Sequence, residues 1–223
     1  MVRSKLKDRI LPNYTNGEEI FNMVSHIVGG VFGIAALVLC VVFSAFHHNP
    51  WAIVGSSIYG FALVLLYTMS SIYHGLHSVM AKKVMQIFDH CAIYILIAGT
   101  YTPIIFCSIR QSSLIYAWVL FGLVWGISII GIVFTAIDLK KYSKLSMACY
   151  IGIGWSVILA IKPTIESIEL RGFLYLLAGG IAYTIGAVLY GLGKKQKYMH
   201  CIFHIFVLIG SILQFICILC YVI

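Results

Sequence analysis

Polar residues are so thinly spread along this chain that the intervals between them define its elements. Apolar runs cover residues 20–46, 51–77, 84–107, 114–137, 145–161, 173–190 and 198–223. A helix that crosses a bilayer needs roughly 20 predominantly apolar residues. The pattern therefore predicts an all-α, seven-transmembrane helix bundle, with a single membrane domain over 20–223 and a cytoplasmic segment over 1–19. The first run is longer than the roughly 7–15-residue apolar core of a cleaved signal peptide, so it reads as a retained span. Gly29 with Gly33 and Gly122 with Gly126 fall at helical spacing and predict close helix packing. Pro103 is expected to end or kink the third span.

Composition narrows the class. Of 223 residues, 61% are apolar and 10% charged, and the mean hydropathy is +1.01; a soluble domain carries about 25% charged residues. That gap excludes an ordinary cytosolic enzyme, a disordered chain and a nucleic-acid binder. The formal charge of +8 then reads as a topology signal. Arg3, Lys5, Lys7, Arg9, Lys82, Lys83, Lys140, Lys141, Lys144, Lys194, Lys195 and Lys197 fall in one set of connections. Only Arg110, Lys162 and Arg171 fall in the other. Twelve against three puts the N-terminus in the cytoplasm and the C-terminus outside, in a multi-pass protein of the cell membrane. This is the reverse of a G-protein-coupled receptor. The last span also lacks a lysine, which excludes a retinal Schiff base there. The seven cysteines are odd in number and show no paired spacing, so they predict neither a disulfide framework nor a CxxC metal site.

Ionisable groups inside a bilayer are costly and mark function. Here they are His26 in the first span, His74 and His77 in the second, Asp89 and His90 in the third, and His200 and His204 in the seventh. At about 1.5 Å rise per residue, His74, Asp89, His200 and His204 all fall within roughly 5–12 Å of flanking lysines on the same side. His200 and His204 are four apart and project from one helix face, a spacing that suits chelation. Ser70 lies one turn deeper than His74. A lone intramembrane histidine is ordinarily a hydrogen-bonded packing residue, and the shared depth is what points beyond that reading. Three histidines with an open fourth position match a catalytic rather than a structural zinc site, with Asp89 there to offset the metal's charge. His77 and His90 point to other faces. Glu18, Glu19, Asn22, Ser25 and His26 form a polar stripe at the start of the first span. It is either helix-start chemistry or a supporting layer above the site in which Glu19, Asn22, Ser25 and His26 take part.

At these residues the sequence resembles the hemolysin III family, the bacterial branch of the progestin and adipoQ receptor group. The resemblance is carried by Glu18-Glu19-Ile20-Phe21-Asn22-Met23-Val24-Ser25-His26, by Ser70-Ser71-Ile72-Tyr73-His74, by Asp89-His90 followed by Ala98 through Pro103, and by His200-Cys201-Ile202-Phe203-His204. It implies a seven-helix bundle with Zn2+ near the cytoplasmic face, ligands His74, His200 and His204, and catalytic roles for Asp89 and Ser70 at the open position. The wider group includes alkaline ceramidases, so it also implies hydrolysis of a lipid acyl or amide bond. Inner-leaflet lipids are then the partners, nucleic acid is not, and the role is in membrane lipid homeostasis. Two other readings stay open: a pore-forming, cytolytic protein, and a receptor or regulator whose zinc is only structural.

Overall fold

A computed structural model describes residues 6–192 and 196–223; the basic residues Arg3, Lys5, Lys194 and Lys195 lie outside these. The described residues are helical, with no strand among them. The helices are α1 (Asn16–Phe46), α2 (Pro50–Gly75), α3 (Val79–Ile104), the three-residue α4 (Arg110–Ser112), α5 (Leu114–Asp138), α6 (Ser143–Gly154), α7 (Ile161–Leu192) and α8 (Met199–Cys217). Among the described residues, six helical segments are long and apolar enough to cross a membrane. One of them, 143–191, is 49 residues long and contains a reversal of backbone geometry at Glu169, where φ is 59° and ψ 166°.

Local chemistry sets the boundaries. Thr15 and Glu18 form a reciprocal capping box, so α1 begins at Asn16, four residues before the apolar run. Asn49 Oδ1 accepts from the amides of Trp51 and Ala52, with Pro50 in the first turn of α2. α2 stops at Gly75, which leaves His77 off the helix. Pro103 does not end its helix: α3 runs through it into a π-helical stretch, Ile105–Ile109, and on into α4. Past Gly154 the chain tightens into a 3₁₀ stretch, Ser156–Ala160, before α7.

The bundle is inside-out relative to a soluble protein. Ile20, Val24, Ile27, Val31, Ile34 and Val38 of α1 face outward, whereas Glu18, Asn22, His26, Gly29, Gly33, Ala36 and Cys40 face inward. An apolar exterior around a partly polar interior is the arrangement a bilayer solvent selects. α1 packs against α2 and α8, α2 against α3, α3 against α5, and α7 against α8. Gly29 lies directly under the Tyr67 ring, so any side chain there would collide with it. Gly33 likewise admits α2 closely, with Leu63 Cβ 3.3 Å from the place a Cβ would occupy. Gly122 and Gly126 correct the packing expectation, since a Cβ on either would meet nothing within 4 Å.

Candidate metal centre

The centre forms where the start of α1, the end of α2 and the start of α8 meet. The α1 capping box also joins two of these elements. Glu18 Oε2 accepts from the Thr15 amide at 2.8 Å, while Oε1 accepts from the Tyr198 amide, just ahead of α8, at 2.7 Å. One helical position on, Glu19 points elsewhere. Its Oε2 accepts from His74 Nδ1 at 2.7 Å, and Lys82 Nζ donates to Oε1. His74 sits in the last turn of α2, and His200 and His204 are inward positions one turn apart on α8.

All three imidazoles are buried, and one ligand nitrogen from each lies within 4.8 Å of the others. His200 Nε2 is 3.3 Å from His74 Nε2 and 3.1 Å from His204 Nε2. Neutral imidazoles cannot make this arrangement satisfactory. His74 gives its one proton to Glu19 through Nδ1, so its Nε2 is a lone pair. A proton on His200 Nε2 can serve one neighbour with good geometry and leaves the other contact unmade. A cation among the three serves every lone pair at once. Tetrahedral Zn–N bonds of about 2.0–2.1 Å put neighbouring nitrogens about 3.3 Å apart, close to the separations found. The donor set therefore fits zinc, and the Glu19 carboxylate on the far nitrogen of His74 matches the pattern that orients metal-binding histidines.

The polar stripe of α1 reaches this centre in part. Ser25 Oγ lies 3.5 Å from His204 Nδ1 and donates to the Asn22 carbonyl at 3.0 Å. The His26 ring stacks on His204 at 3.6 Å between centroids and 15° between planes. Tyr67 meets the edge of His26 at 5.1 Å and donates to Ser211 at 2.8 Å. Both side-chain polar atoms of Asn22 and both ring nitrogens of His26 are buried without a hydrogen-bond partner.

Ser70 and Asp89 lie outside the nitrogen cluster but line the same cavity as His26, His200 and His204, a space of about 170 Å³. The Asp89 carboxylate is 3.5 Å from His90 Nδ1. His90, expected on another face, lines this cavity as well, although its ring nitrogens are engaged: Nδ1 donates to the Gln86 carbonyl at 2.9 Å and Nε2 lies 3.3 Å from the Tyr190 hydroxyl. Beyond the polar end the lining is apolar and aromatic, including Leu66, Ile93, Ile97 and Val207. A second space of about 290 Å³ shares Thr100, Tyr101, Gly154, Trp155, Gly180 and Gln214 with the first. Gln214 Nε2 donates to the Leu176 carbonyl at 3.0 Å, while its buried Oε1 has no partner.

Sequence reasoning missed Tyr14, Tyr73 and the pairing role of Lys82. Tyr14 stacks on His200 at 4.9 Å and 21°, and Tyr73 meets His74 edge-on at 4.6 Å. Burial pushes the Tyr14 phenol up and keeps it neutral. The only signal for Tyr14 was its place just before the capping box, which indicates a helix start and says nothing of what the ring touches.

A family model described as "Haemolysin-III related" matches residues 14–215, a stretch that includes every residue of this centre. The chain is 40% identical to Hemolysin-3 of Bacillus cereus over 205 residues, 92% of each protein. It is 38% identical over 208 residues to the Hemolysin-3 homolog of Bacillus subtilis (strain 168), covering 93% of this chain and 96% of that one. Against the human Monocyte to macrophage differentiation factor the identity is 24% over 182 residues, covering 77% and 73%.

Proposed function

Since the chain belongs to the haemolysin-III related family of multi-pass membrane proteins, we propose that it is a seven-span, zinc-dependent hydrolase of a membrane-lipid acyl or amide bond, serving membrane lipid homeostasis. The observation that carries the proposal is the convergence of His74, His200 and His204 nitrogens, 3.1 and 3.3 Å apart, beside an apolar cavity.

The seventh crossing comes from 143–191. Forty-nine residues of helix would extend about 74 Å, more than twice the roughly 30 Å of a hydrocarbon core, and Glu169 supplies the reversal between two spans. With seven crossings, the lysine and arginine bias puts the N-terminus and the histidines on the cytoplasmic side.

Zinc held by His74, His200 and His204 would supply Lewis acidity and make water a readier nucleophile near neutral pH. Glu19 fixes the tautomer and orientation of His74. Asp89, across the cavity, accepts the proton of the attacking water and returns it to the leaving group. Ser70 offers a hydroxyl to the substrate's polar head. The cavity from His200 to Gln214 spans 14 residues of α8, about 21 Å. A leaflet's acyl chain needs about half of the 30 Å core, so a single lipid tail can lie along it and exclude water.

Metal analysis of the purified protein should give one zinc per chain, lost on changing His200 and His204 to Ala. Lipid products in reconstituted vesicles should disappear in Asp89→Ala while its zinc remains. A zinc content near zero in the unaltered protein would remove the basis of the proposal. Unchanged lipids with full zinc would favour a receptor or regulator.

The relatives' name raises lysis as a second reading. A pore lines its path with polar groups through the membrane. Here the interior around α3 holds Leu96, Ile104, Ile105, Ile109, Leu120 and Val124, all buried. Conductance in liposomes that survives loss of the histidines would favour the pore.

A further inference from the structure

The three imidazoles are held unequally. Glu19 anchors His74 through its far nitrogen. Ser25 and the His26 stack steady His204. His200 has no such hold, because its Nδ1 is buried without a partner. What fixes its ring is aromatic contact. Phe203 and Tyr190 approach tilted, at 5.4 and 5.6 Å, and Tyr14 lies nearly parallel at 4.9 Å.

Phe203 and Tyr190 belong to the helices of the bundle, but Tyr14 does not. It ends a strap, residues 6–14, that is tied down by polar contacts. Lys83 Nζ donates to the Lys7 carbonyl at 2.6 Å. The Arg9 guanidinium donates to Gln86 Oε1 at 3.1 Å, and Gln86 Nε2 reaches the Tyr73 hydroxyl at 3.3 Å. Among the described residues of the strap, only Arg9 is buried, and Ile10 stands out in the open. An element held by a few polar contacts and little apolar burial opens at lower free energy than the bundle beneath it. On the other side of the centre the cavity is polar at Ser70, Asp89 and His90, and beyond them its wall is mainly apolar, with Leu66, Ile93, Ile97 and Val207, where an ion would lose its hydration at a cost of several kcal/mol.

We propose that Tyr14 is a positioning residue that holds His200 in place by stacking, and that the strap is the gate through which the metal ion enters and leaves. This rests on the histidine cluster being the zinc site. When the strap lifts, His200 loses the ring on one face and can swing off the ion, which then meets water and competing ligands. With the strap down, His200 is confined between Tyr14 and the helix aromatics, and the ion stays.

The test measures the rate at which zinc-loaded protein in nanodiscs gives up its metal to excess EDTA, for wild type, Tyr14→Ala, Tyr14→Phe and Arg9→Met. A stacked ring pair loses its contribution when the phenol is removed, so Tyr14→Ala should release zinc about three- to tenfold faster. Tyr14→Phe should match the wild type, because the ring and not the hydroxyl makes the stack. Arg9→Met touches no ligand but loosens the strap, and should also accelerate release. Cobalt-substituted Tyr14→Ala should show altered visible bands, and Tyr14→Phe unaltered ones. Thermal unfolding of the metal-free variants identifies any that is merely unfolded, in which case Arg9→Met decides alone. A wild-type protein that holds no zinc would overturn the underlying site. A wild type that holds zinc, with variants that release it at the same rate, would overturn the gate. Fast release from Tyr14→Phe would overturn stacking as its basis.

Discussion

Glu19 is the point at which the centre is most open to a quantitative test, because a one-atom change sets two neighbours against each other. Its carboxylate has two oxygens and two donors: His74 Nδ1 at 2.7 Å and Lys82 Nζ. In Glu19→Gln one oxygen becomes an NH2 group. Whichever way the amide turns, that NH2 faces a donor, and the fixed ammonium of Lys82 competes for the remaining oxygen. His74 then loses its charge-assisted partner, a loss of about 1.5–3 kcal/mol. At about 1.4 kcal/mol per decade this is a 10- to 100-fold weaker zinc affinity, the range found when such outer partners are removed. Lys82→Met alone leaves the carboxylate on His74 and should weaken zinc binding by only a few-fold. In the double variant the amide oxygen is free to accept from His74, and affinity should recover by about tenfold over Glu19→Gln, which with the few-fold loss from Lys82→Met alone is a coupling of about 2 kcal/mol. The assay is competitive titration with a chromophoric chelator on protein in nanodiscs. A Glu19→Gln protein that titrates like the wild type, or a double variant no better than Glu19→Gln, would refute this account of how His74 is held.

Four further outcomes follow from the geometry. His90→Ala should keep its zinc, because both His90 ring nitrogens are already engaged with Gln86 and Tyr190; metal analysis decides. Gly29→Ala should cost about 1–3 kcal/mol through its collision with Tyr67, whereas Gly122→Ala, which meets nothing, should be neutral or gain up to about 1 kcal/mol; thermal unfolding in detergent compares them. Gln214→Ala should join the two cavities and shift co-purifying lipids toward longer chains, read by mass spectrometry. In a Cys220→Ser background, a membrane-impermeant thiol reagent on intact cells should label Asn49→Cys and not Lys141→Cys, given the proposed orientation.

Much of the fold was legible because a bilayer forces every span to announce itself as an apolar run. The failures came where helical structure continues in water. Lys162, Glu166, Glu169 and Arg171 interrupt the apolar pattern and read as a loop, yet α7 starts at Ile161, carries Pro163 in its first turn and stays helical up to Glu169. Backbone hydrogen bonding needs no apolar side chains at the membrane surface, so charge ends a span in the sequence without ending the helix. Pro103 misled in the opposite direction. A proline removes one backbone bond, but the π-helical stretch beyond it lets the helix continue, and its ring packs against Gly55, where a Cβ would lie 2.8 Å from Pro103 Cα.

At the centre, the residues legible in advance were those whose position follows from periodicity. His200 and His204 share a face by spacing, and His74 joins them by depth. Glu18 and Glu19 show the boundary of that reasoning. Both open α1 and both suit the helix dipole. Adjacent helical positions point about 100° apart, so one closes the capping box and holds α8, while the other turns to His74. Composition cannot assign those two tasks; only the packing of α1 against its neighbours does. Lys82 carries the same lesson. In the sequence it counts toward topology, and in the structure it neutralises the carboxylate that steadies His74. In the proposed orientation the two roles need the same thing, a cation at the cytoplasmic end of a helix, so a basic residue that serves orientation is already in place to hold a buried acid. A site built at helix ends can therefore draw its supporting charges from the residues that set topology, and Arg9 and Lys83, which hold the strap over His200, extend that economy to the N-terminal segment.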